Sequence, residues 1–475
     1  MPDQISISIW LFLLLVLIAA VAILDRILIP STRWFLRRRI NRVLDEIGTR
    51  LDIEIRPFQL TKRQVLIDRL AYDPEVITAI KDYAQQHDMP QEIVQKKVLG
   101  YAREIIPSFN AYLYFRIGYW IAKKIARFLY RVRVGLMNEA DYTSIDPEST
   151  VVFVMNHRSN MDYVLVAFLA AERTTLSYAV GEWAKIWPLH MLIRAMGAFF
   201  VRRNSGNPLY RRVLERYIHM ATREGVCQAV FLEGGLSRNG GLQKPKLGLV
   251  DYMLRHYDPK RDRDVVFIPV GINYDRTIED RSLLRALDPQ ATKRSWWFVS
   301  KTTGVFILRS LVLMVLSRWQ RYGYACVNFG KPHSVKVFCR NRQINFSSLG
   351  RSERFREVEK LCHGIMGGIA DVVPILPVSV VSKVFLGSMD TPLNIKDIEQ
   401  RSIRLLDELS AKGAPVFETP RSTRTRMIVD AVDFMMLRQI IKYAGDRFQA
   451  MAEEEAILQY YANAMGHWWE GGASG

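Results

Sequence analysis

Hydrophobic positions change their spacing along the chain, and each change predicts a different kind of element. Ile5 to Leu24 is apolar except for Ser6 and Ser8, about the twenty residues that a helix needs to cross a hydrocarbon core of roughly 30 Å. From 31 to about 135 the spacing is helical. In QVLIDRLAYDPEVITAIKDYAQQ the apolar residues recur every three or four positions, and Pro74 behind Asp73 suits the first turn of a helix. From about Thr150 to Lys336 short apolar runs alternate with helix-like stretches, which predicts strands at Val151 to Met155, Ala229 to Leu232, Val265 to Val270 and Tyr324 to Phe329. The expected fold is α/β, a mixed sheet flanked by helices, with an N-terminal transmembrane helix and additional helical regions. The boundaries fall at 1–30 for the anchor, 31–135 for a helical membrane-proximal region, 136–345 for the α/β domain and 346–475 for a C-terminal helical region.

Charge narrows the partners. The chain of 475 residues carries 66 Lys and Arg against 48 Asp and Glu, a net charge of +18, so nucleic acid, an anionic lipid surface or a phosphorylated substrate would be attracted. The apolar N-terminus favours the lipid surface and not nucleic acid. MPDQISIS carries an acid and no basic residue, which argues for a retained anchor over a cleaved signal peptide. Arg26, Arg33, Arg37, Arg38, Arg39 and Arg42 behind the span place the rest of the chain on the cytoplasmic side of a single-pass membrane protein. Phe109 to Arg133 mixes aromatic with basic side chains. That composition suits an amphipathic helix in a lipid interface, a single-stranded nucleic-acid surface, or a core helix with a solvated basic face. The span upstream favours the interface. Cys227, Cys326, Cys339 and Cys362 are too far apart for a zinc site or a disulfide framework.

The candidate chemistry lies where the expected strands end, since ligands of open α/β sheets bind beyond the carboxyl ends of the strands. VVFVMNHRSNMDYVL places His157 five residues before Asp162. Positions five apart on one helix diverge by about 140°, so the pair can meet only if His157 precedes a helix starting near Met161, capped by Ser159 or Asn160. Asp162 would then fix the imidazole tautomer and leave the other ring nitrogen to take a proton from a substrate hydroxyl. The spacing alone fits a buried histidine bonded to a capping aspartate better than a catalytic pair. Three further stretches accompany it. GAFFVRR sets Arg202 and Arg203 behind an apolar run, and FLEGGLSRNG follows a strand with a glycine-softened turn able to hold an anion. In FIPVGINYD, Pro269 interrupts a strand-like run and predicts an edge or a bulge.

Together NHRSNMD, GAFFVRR, FLEGGLSR and FIPVGINYD resemble the glycerol-3-phosphate and dihydroxyacetone-phosphate acyltransferase family, and YYANAMGHWW resembles its C-terminal helix. The resemblance implies that His157 is the general base and Asp162 its orienter. It implies that Arg202, Arg203, Glu233, Gly234, Ser237 and Arg238 shape the acceptor site, with Lys244 and Lys246 of KPKLG as further phosphate contacts. The implied reaction moves a fatty acyl group from acyl-CoA or acyl carrier protein to the hydroxyl of a phosphorylated glycerol, glycerol 3-phosphate in the first instance, with no metal and no redox cofactor. One position departs from the family: Leu236 stands where the glycerol-3-phosphate enzymes usually carry an arginine. That departure keeps a lysophosphatidate acceptor open. A non-catalytic basic scaffold on membranes is the reading of another class.

Overall fold

A computed structural model of the protein describes residues 56–111, 113–135, 139–170, 176–181, 193–202, 205–288, 322–419 and 422–469. The apolar run Ile5 to Leu24 and the arginines behind it lie outside these residues. Among the described residues no helix is long and apolar enough to cross a membrane.

The N-terminal helices are α1 (Arg63–Ala71), α2 (Pro74–Gln86) and α3 (Gln91–Ile105). Asp73 caps α2 as its position suggests, its carboxylate accepting from the Glu75 amide at 3.0 Å with Pro74 in the first turn. The buried stripe of each helix, Leu66 and Leu70, Val76 and Ile80, Val94 and Val98, shares one apolar core with the sheet. Phe109 to Arg133 departs from a single helix. A π-helical stretch (Leu113–Gly118) leads into α4 (Tyr119–Leu129), and Arg131–Val134 then forms strand β1. The sequence RVRV alternates with period two, the spacing of a strand, and β1 pairs in parallel with β7 (Tyr324–Phe329).

The chain then builds β2 (Thr150–Met155), α5 (Met161–Ala170), β3 (Ser177–Gly181), β4 (Phe199–Val201), α6 (Pro208–Arg223), β5 (Gln228–Phe231), α7 (Gly248–Leu254), β6 (Val265–Tyr274), α8 (Asp280–Arg285), β7, β8 (His333–Ser334) and α9 (Val335–Arg342). Eight strands form a mixed sheet in the order β1-β7-β6-β2-β5-β3-β4, with β8 beside β6. β2, β3, β4, β5 and β6 run parallel, whereas β7 and β8 are antiparallel to β6. Val152, Val154, Val230 and Phe267 face the core under the N-terminal helices, and Met155, Ala229, Phe231 and Ile268 face the core under α4 and α5. Burial on both faces is why these strands read as continuous apolar runs.

Pro269 sits in β6, between β2 and the β7–β8 pair, not at an edge. Its carbonyl accepts from the Gly330 amide at 2.8 Å, so its nitrogen faces the gap between the end of β7 and the start of β8, where no ladder bond is required. The break in the ladder accommodates the proline. After α10 (Arg351–Ala370) come α11 (Pro377–Leu386), α12 (Ile395–Ala411), α13 (Arg424–Leu437), a hairpin of β9 (Ile441–Ala444) and β10 (Arg447–Ala450), and α14 (Glu455–Ala462). α11 to α14 form a second apolar core that includes Leu283 of α8 and is joined by Leu236. It docks through Arg438, which donates to Asp280 at 2.5 Å and to the Tyr461 hydroxyl at 2.9 Å. Cys326, Cys339 and Cys362 are buried and outside any disulfide.

Candidate active site

β2 ends at Met155, and Asn156 prolongs its attachment to β6 through a side chain that acts as a strand would. Its Nδ2 donates to the Ile272 carbonyl at 2.9 Å and its Oδ1 accepts from the Ile272 amide at 2.8 Å. The turn that follows carries His157, and α5 begins at Met161, whose amide is capped by Ser159 Oγ at 3.1 Å. His157 and Asp162 meet as the spacing requires: Nδ1 lies 2.8 Å from Asp162 Oδ2, with 1% and 0% of the two residues exposed. The same oxygen accepts from the amides of Arg158 (2.7 Å) and Ser159 (3.0 Å), and Oδ1 accepts from the Tyr274 hydroxyl at 2.6 Å.

Four donors on one carboxyl identify it as the ionised acceptor, so Nδ1 carries the proton and Nε2 presents a lone pair. Nε2 is buried and has no hydrogen-bonding partner. Phe231 stacks on the imidazole at a centroid distance of 3.9 Å, and the Tyr163 ring meets it edge-on at 5.4 Å. The ring is held by packing on its faces and by Asp162 on one edge, leaving the other edge for a ligand. Behind it, Glu279 accepts from Ser159 Oγ at 2.7 Å and from the Asn160 amide at 3.2 Å. Burial pushes the Glu279 carboxyl above its ordinary value, against the pull of those bonds.

The turn after β5 supplies the second wall. Gly234 has φ +70°, and a Cβ there would fall 2.8 Å from Lys246 Cγ, which accounts for glycine at this position. Ser237 joins the two walls, its amide donating to the His157 carbonyl at 2.8 Å. Its hydroxyl donates to the Gly241 carbonyl at 2.6 Å, so the side chain holds the loop. Glu233 is 5% exposed and neither carboxyl oxygen has a hydrogen-bonding partner. Burial raises its pKa to about 8, even though the backbone amides of Gln243 and His157 and the charge of Arg158 all act to lower it. Those amides are near without reaching bonding geometry.

The remaining expected residues are spread more widely. Arg202 follows β4 at the sheet edge, where its guanidinium forks onto Glu104 of α3 at 3.0 and 2.6 Å and stacks on Tyr101 and Tyr210. The Glu104 hydrogen bond raises its pKa further. β4 lies three strands from β2, so Arg202 stands about 14 Å from the dyad's strand at the usual interstrand spacing. Arg203 lies outside the described residues. Arg238, Lys244 and Lys246 are exposed around the mouth of the turn, Arg238 reaching the Ala286 carbonyl at 3.5 Å. Leu236 packs on the C-terminal apolar core.

The roles of three residues of the site are not legible in the sequence, although Tyr274 lies in FIPVGINYD. Tyr274 reaches Asp162 across 112 positions and Glu279 reaches Ser159 across 120. Arg158 is inside the first motif, yet nothing local shows that it is 2% exposed.

A buried His–Asp pair at the end of β2, walled by the glycine turn after β5, can take a proton from a hydroxyl placed at the imidazole. The acyltransferase family profile matches residues 137–273, and the profile for the glycerol-3-phosphate acyltransferase C-terminal region matches residues 309–469. Over its C-terminal part the chain is thus similar to glycerol-3-phosphate acyltransferases, and over residues 137–273 to acyltransferases more broadly. It is 28% identical over 429 residues to the glycerol-3-phosphate acyltransferase of Pseudomonas entomophila, covering 86% of this chain and 49% of that protein. Against the enzyme of the same name from Pseudomonas paraeruginosa the identity is 28% over 445 residues, 90% of this chain and 51% of the relative. The chain thus spans about half the length of the curated relatives it matches. Among solved structures, the 1-acyl-sn-glycerophosphate acyltransferase of Thermotoga maritima matches with a TM-score of 0.30 and 15% identity, over 65% of this chain and 96% of that one.

Proposed function

We propose that the protein is an O-acyltransferase that moves a fatty acyl group from a thioester, acyl-CoA or acyl carrier protein, to the hydroxyl of glycerol 3-phosphate. The observation that carries this reading is the dyad itself, an imidazole fixed through Nδ1 with an unpartnered, buried Nε2. Nε2 takes the proton of the acceptor hydroxyl as its oxygen attacks the thioester carbonyl. Asp162 stabilises the imidazolium so formed, and that proton passes to the departing thiolate as the tetrahedral intermediate collapses. Ester and free thiol are the products, and atoms and charge balance without a metal or a redox cofactor.

Lysophosphatidate is the second acceptor to consider, because Leu236, half-buried against the C-terminal apolar core, stands where the family's arginine would put a charge. Incubating the purified protein with palmitoyl-CoA and reading thiol release with glycerol 3-phosphate, dihydroxyacetone phosphate and lysophosphatidate separates the acceptors. Release dependent on glycerol 3-phosphate supports the reading. Release only with lysophosphatidate transfers it to the second acceptor, and no release with any of them contradicts it.

The reading includes a membrane surface. The apolar run at 5–24 is the expected anchor, and α4 presents Trp120, Lys124, Ile125 and Arg127 on its exposed side, continued by Arg131 and Arg133 of β1. Basic and apolar side chains side by side suit an anionic lipid interface.

A further inference from the structure

We propose that Arg158 is the cation that receives the phosphate monoester of the acceptor, in a cradle that the C-terminal helix completes. This rests on the acyltransferase reading and names a binding residue within it. Arg158 follows the general base, is 2% exposed, and has no ionic partner within 4.0 Å among the described residues. Its Nη1 donates to the Gly240 carbonyl, while Nε and Nη2 are buried with no acceptor. A guanidinium taken out of water and left with open donors is costly, and an anion with two oxygens to offer relieves it, the planar fork suiting phosphate.

The surroundings do not neutralise this charge. Glu233, the acid whose field reaches it, is mostly protonated at neutral pH because burial raises its pKa to about 8. It therefore adds a hydroxyl donor to the site, not a competing anion. The other candidate cations are committed or peripheral: Arg202 is forked onto Glu104, and Arg238, Lys244 and Lys246 are exposed.

The C-terminal helix fixes the cradle. The Arg158 guanidinium lies 5.1 Å from the centroid of the Tyr460 ring in α14. Gly240 has φ +81° and runs so close to the Tyr460 carbonyl that a Cβ would collide with it. Asn463 Nδ2 clamps the same loop, donating to the Asn239 carbonyl at 2.8 Å. The C-terminal region thus sets the position of a site beside the α/β sheet, which gives it a reason to belong to the same catalytic unit.

The test compares the full chain with Arg158→Gln and Arg158→Lys. Two quantities are read: the rise in Tm on titrating inorganic phosphate, and KM for glycerol 3-phosphate against KM for palmitoyl-CoA. Phosphate should raise Tm of the unaltered protein and not that of Arg158→Gln. KM for glycerol 3-phosphate should rise about tenfold to a hundredfold, with KM for the donor within about twofold, the scatter expected when no charged contact is lost. Arg158→Lys should fall between, and it decides the question should Arg158→Gln fail to fold. Equal phosphate-induced shifts with unchanged acceptor KM overturn the inference, as does a rise confined to KM for the donor, which would give the cation to the phosphates of CoA. If the unaltered protein releases no thiol with any acceptor, the acyltransferase reading falls. The phosphate titration then decides alone, and an absent or Arg158-independent shift overturns the inference.

Discussion

Asp162 and Glu233 are both buried acids at the carboxyl ends of neighbouring strands, and their surroundings are opposite. Asp162 accepts from His157 Nδ1, two backbone amides and the Tyr274 hydroxyl. Glu233 accepts from nothing, and the guanidinium of Arg158 nearby also has open donors. On the proposed reading, the half of the site that would handle the proton is complete before a ligand arrives, since a base must be oriented ahead of the reaction. The half beside it is unfinished, and a finished set of hydrogen bonds there would leave a substrate nothing to bind.

Breaking the completed half should have the largest effect. Asp162→Asn keeps the volume and removes the charge that stabilises the imidazolium, and kcat is expected to fall about a thousandfold to ten-thousandfold with the fold retained. The measurement is thiol release at saturating donor, beside circular dichroism. A loss below about tenfold, the size of one ordinary hydrogen bond, would show that Asp162 only caps the helix.

Tyr274→Phe is a milder cut into the same network. Its hydroxyl donates to Asp162 Oδ1 at 2.6 Å, and the Tyr130 ring packs against it at 5.2 Å. Removing one buried donor to a charged oxygen is expected to lower kcat about tenfold and leave acceptor KM unchanged. A change confined to KM would place Tyr274 with the acceptor instead of the base.

Glu233→Gln sharpens the contrast through stability. The carboxyl is raised from 4.5 to about 8 in the folded protein, so between those values the folded state binds more protons than the unfolded one. Stability therefore decreases as pH rises through that window. The variant loses this contribution, and its Tm should decline less steeply from pH 5 to pH 8 than that of the unaltered protein. Parallel slopes would mean that Glu233 is ionised and solvated.

What the sequence made legible was local. The runs Val151 to Met155, Ala229 to Leu232 and Tyr324 to Phe329 form strands, the second shifted by one residue to end at Phe231, because their residues are buried on both faces, and the five-residue interval between His157 and Asp162 has one geometry in which the pair meets. Short strands escaped notice. SYAVG of β3 and FFV of β4 span too few residues to show a period. RVRV follows a helical stretch without a break in composition, so only its alternation marks it as a strand. Tertiary partners were the other loss. Arg202 has the side chain of a phosphate ligand, but Glu104, 98 residues upstream, already engages it. Nothing in the order of residues marks Arg158, and only the closure of α14 over Gly240 reveals it as buried.

The central claim is that His157 Nε2 is the base in transfer from a thioester, and it has one direct measurement. Purified His157→Ala is compared with the unaltered protein for thiol release from palmitoyl-CoA with glycerol 3-phosphate, alongside the phosphate-induced rise in Tm. The account predicts acceptor-dependent release by the unaltered protein, none above background from the variant, and a phosphate response retained by both. Acceptor-dependent release from His157→Ala at an undiminished rate would contradict it.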